Sequence, residues 1–94
     1  MREMKTRIRV VFSGRVQGVF FRANTKKFAD RHDICGWVRN TESGDVEALF
    51  EGEEKAINVV IHECQYSQPY ALIESVEITK GGPGEELKDF KIRH

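Results

Sequence analysis

Cysteine, proline and net charge are all scarce in this chain, and each scarcity excludes something. The two cysteines, Cys35 and Cys64, stand far apart, with no CxxC or HxxxH pair, and His32, His62 and His94 are scattered. That spacing gives no set of ligands for a tetrahedral metal site. The thiols read as small buried hydrophobes, and the sequence leaves a bridge between them open. Fifteen Lys and Arg balance fifteen Asp and Glu. A neutral chain lacks the basic footprint of a nucleic-acid binder and the polybasic segment that anionic lipid attracts. No apolar run approaches membrane length, and the polar start, residues 1–6, has no hydrophobic leader core. Two prolines and a 39% hydrophobic content belong to an ordinary globular chain rather than a low-complexity one. The expectation is a cytoplasmic protein with no metal or other cofactor, no nucleic-acid partner and no membrane contact.

What is present fits one domain spanning residues 1–94, with residues 1–6 a flexible N-terminus. Ile8, Val10 and Phe12 alternate with Arg7 and Arg9, which predicts a half-buried strand over 7–13. Phe21, Thr25, Phe28 and His32, with Ala29, recur at helical spacing and predict a helix over 21–32. Residues 35–39 form a second strand and 46–51 a third, joined by the polar turn 40–45 as a hairpin. Gly52 ends the third strand. Ala56, Ile57, Val60, Ile61 and Cys64 then make a 3.6-period stripe for a helix over 53–65. A loop over 66–70, a strand over 72–80, a Gly-rich break at 81–84 and a short strand at 90–92 complete the chain. The order β-α-β-β-α-β plus a last short strand predicts an α+β, ferredoxin-like split β-α-β sandwich. Its two helices would cover one face of a mainly antiparallel sheet.

One stretch stands out: Gly14-Arg15-Val16-Gln17-Gly18-Val19-Phe20-Phe21-Arg22, between the first strand and the first helix. Its two glycines allow a tightly curved backbone that aims successive N–H groups at one point. The helix behind adds unpaired donors and the positive end of its dipole. The sum is a cradle for an anion, above all a phosphate. Arg22 falls just inside the helix, where a planar guanidinium grips phosphate oxygens, and no acid lies between Ser13 and Asp30. The bland alternative is a common glycine-flanked turn with a solvated arginine. Asn40, closing the second strand, has two readings. Its amide either faces this cradle with a donor and an acceptor or merely starts a hairpin, and spacing alone leaves both open.

These two segments resemble the two signatures of the acylphosphatase family. The first is 14–22; the second is Gly36-Trp37-Val38-Arg39-Asn40, followed by Gly44-Asp45-Val46 and Gly52. The resemblance extends over about 7–93, including Phe90-Lys91-Ile92-Arg93. It departs at Ser43, where relatives often carry Asp, and over 65–70, where many relatives have a turn richer in Gly and Pro. The resemblance implies metal-independent hydrolysis of small acyl phosphates to a carboxylate and inorganic phosphate. It also implies that inorganic phosphate or sulfate competes for the site. Arg22 would bind the phosphoryl group and Asn40 would position the attacking water. The backbone of Gln17, Gly18, Val19, Phe20, Phe21 and Arg22 would cradle the oxygens. A free-standing monomer is expected, and no histidine or carboxylate is evident in the cradle. Two other classes compete. A phosphate-sensing domain has no need of Asn40. An RNA-reading sheet would have to tolerate Glu47 and Glu51 on the open face of the third strand.

Overall fold

The alternating run near the start of the chain becomes strand β1, Lys5–Arg15, in a computed structural model that describes residues 5–81, 84 and 86–94. Helix α1 (Phe21–Arg31), strands β2 (Cys35–Asn40) and β3 (Val46–Glu53), helix α2 (Glu54–Tyr66), and strands β4 (Leu72–Lys80) and β5 (Phe90–Arg93) follow. The strands form one sheet in the order β4-β1-β3-β2-β5. Every neighbouring pair is antiparallel except β2 and β5, which run parallel. The ferredoxin-like α+β sandwich expected from the pattern is the fold observed.

The core forms where the period-two faces of the strands meet the helical stripes. Ile8, Val10 and Phe12 of β1, Val38 of β2 and Val46, Ala48 and Phe50 of β3 share one buried cluster with both helices. Those helices contribute Phe21, Phe28 and Ala29 from α1 and Ile57, Val60, Ile61 and Cys64 from α2. Phe12 and Phe21 meet with ring centroids 5.1 Å apart. That contact locks the end of β1 to the first turn of α1.

Several boundaries shift, each for a local reason. Lys5 and Thr6 pair with Glu53 and Gly52, so these two belong to β1 rather than to a flexible terminus; residues 1–4 lie outside the described residues. Gly52 does not end β3, because a Cβ there would come within 2.7 Å of Ile34 Cδ1; the glycine serves packing. Glu53 is accordingly the N-cap of α2 and Tyr66 belongs to that helix. His32 is the C-cap of α1. The break expected at 81–84 includes residues 82 and 83, which also lie outside the described residues. Both cysteines are free.

The open face of the sheet is a lattice of charge. Arg7 pairs with Glu51 at 3.0 Å. Glu47, only 3% exposed, accepts from Arg9 and from Arg39. Trp37 lies between the guanidinium groups of Arg93, 4.8 Å from the ring centroid, and Arg39, at 6.0 Å. The acids expected on this face are there, and each is matched to arginine.

Two expectations follow. Gly36 has φ +145°, and a Cβ would fall 1.8 Å from Leu49 O, whereas one on Gly44 (φ +94°) meets nothing within 4 Å. Gly36→Ala should therefore cost at least about 3 kcal/mol, against about 1 kcal/mol of backbone strain for Gly44→Ala, as read from urea denaturation midpoints. Burial pushes the Cys64 thiol up to about 12. At about pH 8 it should resist iodoacetamide in the native protein and react once denatured, since only the thiolate is nucleophilic.

Candidate active site

Because β1 and β2 both run antiparallel to β3, they finish at the same edge of the sheet. β5 runs parallel to β2 and ends there too, while β4, antiparallel to β1, begins there. The first loop and the β2–β3 turn therefore share an end. The loop after β1, the turn at 41–45 and the segment before β4 all gather at one edge, at the N-terminus of α1.

The cradle takes its shape from two left-handed residues. Gly18 has φ +74° and Phe20, a bulky residue rarely found there, has φ 62°. They flank Val19, and a curl of this kind allows successive N–H groups to converge. Phe20 is the N-cap of α1 but supplies no side-chain cap, and the first turn carries no acid. Among the described residues, the N–H groups from Gly18 to Ala23 meet no protein acceptor. The curl is held from behind by Gln17, whose Nε2 donates to Thr41 O at 2.9 Å and to Asp45 O at 2.8 Å. Its side chain thus staples the cradle to the β2–β3 turn and does not line the cavity.

A cavity of about 330 Å³ opens here, walled by Val16, Gly18, Phe20, Phe21, Arg22, Ala23, Asn40, Ile92 and His94. Val19 instead packs partly against the core. Arg22, half-buried, is positioned by β5: its Nη1 donates to Arg93 O at 3.0 Å and lies 3.2 Å from His94 Nδ1. Guanidinium has no acceptor, so Nδ1 must be the unprotonated ring nitrogen in this contact. Nε and Nη2 have no partner among the described residues and remain available to an anion. Asn40 reaches the same cavity because Val38, two residues earlier, is fully buried on the helix-covered face. Period two then sends the Asn40 side chain to that face as well. Its Oδ1 is buried and has no hydrogen-bond partner.

The structure thus gathers Arg22, Asn40, Gly18, Phe20 and Phe21 around one space, with Gln17 and Val19 supporting from outside it. Sequence reasoning missed His94 and the carbonyl of Arg93. Phe90 and Ile92 face the core, so the same alternation carries His94 to the site face. Only the parallel pairing of β5 with β2 puts that alternation beside Asn40, and no motif announces a parallel edge strand.

A family model described as acylphosphatase matches residues 8–92. The chain is 47% identical over 92 residues to an acylphosphatase of Natronomonas pharaonis, an alignment covering 96% of this chain and 99% of the relative. To an acylphosphatase of Rubrobacter xylanophilus it is 44% identical over 87 residues, covering 93% and 79% respectively. The fold superposes on the crystal structure of acylphosphatase from Bacillus subtilis with a TM-score of 0.89 at 32% identity. That match covers 97% of this chain and 100% of the other.

The staple gives the cradle a test of its own. Gln17→Ala leaves two half-buried carbonyls of the turn without their donor and should cost about 1–2 kcal/mol by thermal or urea denaturation. Inorganic phosphate, titrated by calorimetry, should bind more weakly to the variant than to the parent protein.

Proposed function

Because this chain belongs to the acylphosphatase family and is a hydrolase of that kind, we propose that it acts without a metal ion on small acyl phosphates. Arg22 binds the phosphoryl group, and Asn40 orients the water that attacks it. The products are a carboxylate and inorganic phosphate, and inorganic phosphate and sulfate compete for the cradle. The same proposal treats the chain as one cytoplasmic, monomeric domain. Among the described residues, no helix is long and apolar enough to cross a membrane.

One observation supports this reading above the others: the buried, unpartnered Oδ1 of Asn40 lies across the cavity from an arginine whose fork is half free. An acceptor left unpaired costs about 1–3 kcal/mol, so a rotation of the Asn40 amide that brings it to a water in the cavity is favoured. Such a water presents its lone pairs toward whatever the guanidinium and the backbone donors hold. An amide cannot take the proton at neutral pH, and the lone pair of His94 Nδ1 faces Arg22 Nη1, so the proposal gives the proton to a phosphoryl oxygen of the substrate. Water attacks phosphorus, the bond from phosphorus to the acyl oxygen breaks, and the carboxylate departs with that electron pair. A carboxylate is a stable leaving group and needs no general acid. Positioning and charge stabilisation carry the reaction, as in phosphoryl transfer generally. The cradle N–H groups and Arg22 serve the equatorial oxygens, where negative charge is concentrated.

Phosphate release from acetyl phosphate in the presence of a chelator tests the reading directly. Wild-type protein should turn over undiminished by the chelator. Arg22→Ala should lose both turnover and phosphate affinity, since it removes the cavity's cationic clamp from ground and transition states alike. Asn40→Ala should lower kcat by roughly 100-fold while phosphate still inhibits competitively. Normal turnover by Asn40→Ala would remove that residue from the mechanism.

A further inference from the structure

Beside the cradle lies a second cavity, about 440 Å³, lined by Arg15, Gly18, Val19, Phe20, Pro69 and Tyr70. Gly18 and Phe20 wall both spaces, so the second continues the first across the curled backbone. From this geometry we infer that the groove receives the acyl part of the substrate and favours a planar aromatic acyl group; the inference rests on the acyl phosphate reading above. Three observations carry it.

The first is direction. In-line displacement places the attacking and leaving oxygens on opposite sides of phosphorus. Asn40, Ile92 and His94 belong to β2 and β5 or adjoin them, whereas Pro69 and Tyr70 lead into β4. In the sheet order β4-β1-β3-β2-β5 these are opposite flanks of the loop that follows β1. A water on Asn40 therefore faces a leaving group directed toward the groove.

Second, the groove's chemistry suits a flat apolar ring. Phe20 and Tyr70 are 75% and 70% exposed, large aromatic surfaces with no protein ring against them among the described residues. Pro69 and the partly buried Val19 supply further apolar wall. Arg15 is exposed and has no carboxylate partner among the described residues. Its guanidinium can stack on an aromatic plane and attract a dianionic substrate.

Third, the far wall is anchored. Gln68, only 6% exposed, accepts at Oε1 from Asn24 Nδ2 of α1 at 3.3 Å, which fixes the 67–71 segment against the helix that carries Arg22. This segment lies outside the two signature stretches, so the groove's far wall is set by residues other than those of the cradle.

The experiment compares kcat/KM for benzoyl phosphate and acetyl phosphate in wild type, Tyr70→Ala and Tyr70→Phe. Taking the ratio across variants cancels the intrinsic reactivity of the two substrates. Tyr70→Ala should lower the benzoyl-to-acetyl ratio by roughly five-fold, mainly through a higher KM for benzoyl phosphate, with acetyl phosphate unchanged within about two-fold. Tyr70→Phe keeps the ring and should restore the ratio. An unchanged ratio in Tyr70→Ala, or an equal loss on both substrates, would overturn the groove assignment while leaving acyl phosphate hydrolysis standing. Failure of the wild type to release phosphate from either compound would overturn both.

Discussion

Strand β3 is hydrogen-bonded antiparallel to β1 along one side and to β2 along the other, so its two neighbours point the same way and stop at the same edge. Each further piece of the site inherits this. β5 copies the direction of β2, β4 opposes β1, and the helix that leaves β1 begins where β2 ends. A cradle built from residues 17–22 can meet Asn40 and the end of β5 only because this pairing brings distant segments together. The core cluster around Phe12, Phe21 and Val38 holds that meeting point in place. The cavity is thus a consequence of sheet direction first and of side-chain chemistry second.

Charge is distributed so that neutrality overall does not mean neutrality at the site. Glu47 and Glu51 lie on the open face of the sheet, matched to Arg7, Arg9 and Arg39. Fully exposed ion pairs add little to stability, but these carboxylates are largely shielded from water. The nearly buried carboxylate of Glu47 would be costly without two guanidinium partners. On the helix-covered side, no acidic side chain among the described residues walls the cavity that contains Arg22. The positive end of α1 and the unpaired N–H groups therefore act on an anion without internal cancellation. That arrangement leaves a local positive field in a molecule with as many acids as bases.

The elements, their order and the glycine-bracketed turn were legible because period two, period 3.6 and glycine punctuation are local. Arg22 was legible for the same reason: it sits one residue into a helix whose start the sequence announces. Asn40 was only half legible. Its alternation with Val38 can be read from the sequence, but which face Val38 buries depends on the partner strands. His94 was not legible, since its place beside Asn40 depends on a parallel pairing that leaves no local mark. Gln17 was read for its backbone alone; that its side chain holds the loop to Thr41 and Asp45 appears only in the fold. Gly52 misled because a glycine that makes room for Ile34 has the same letter as one that ends a strand.

The short strand β5 has a single neighbour in the sheet, yet it and the residue after it supply the carbonyl and the imidazole that hold Arg22. Edge segments with few partners open at lower free energy than the centre of a fold. The aim of the guanidinium is therefore only as durable as this outermost ribbon. Fraying at this rim would loosen the guanidinium before the buried centre of the sandwich gives way.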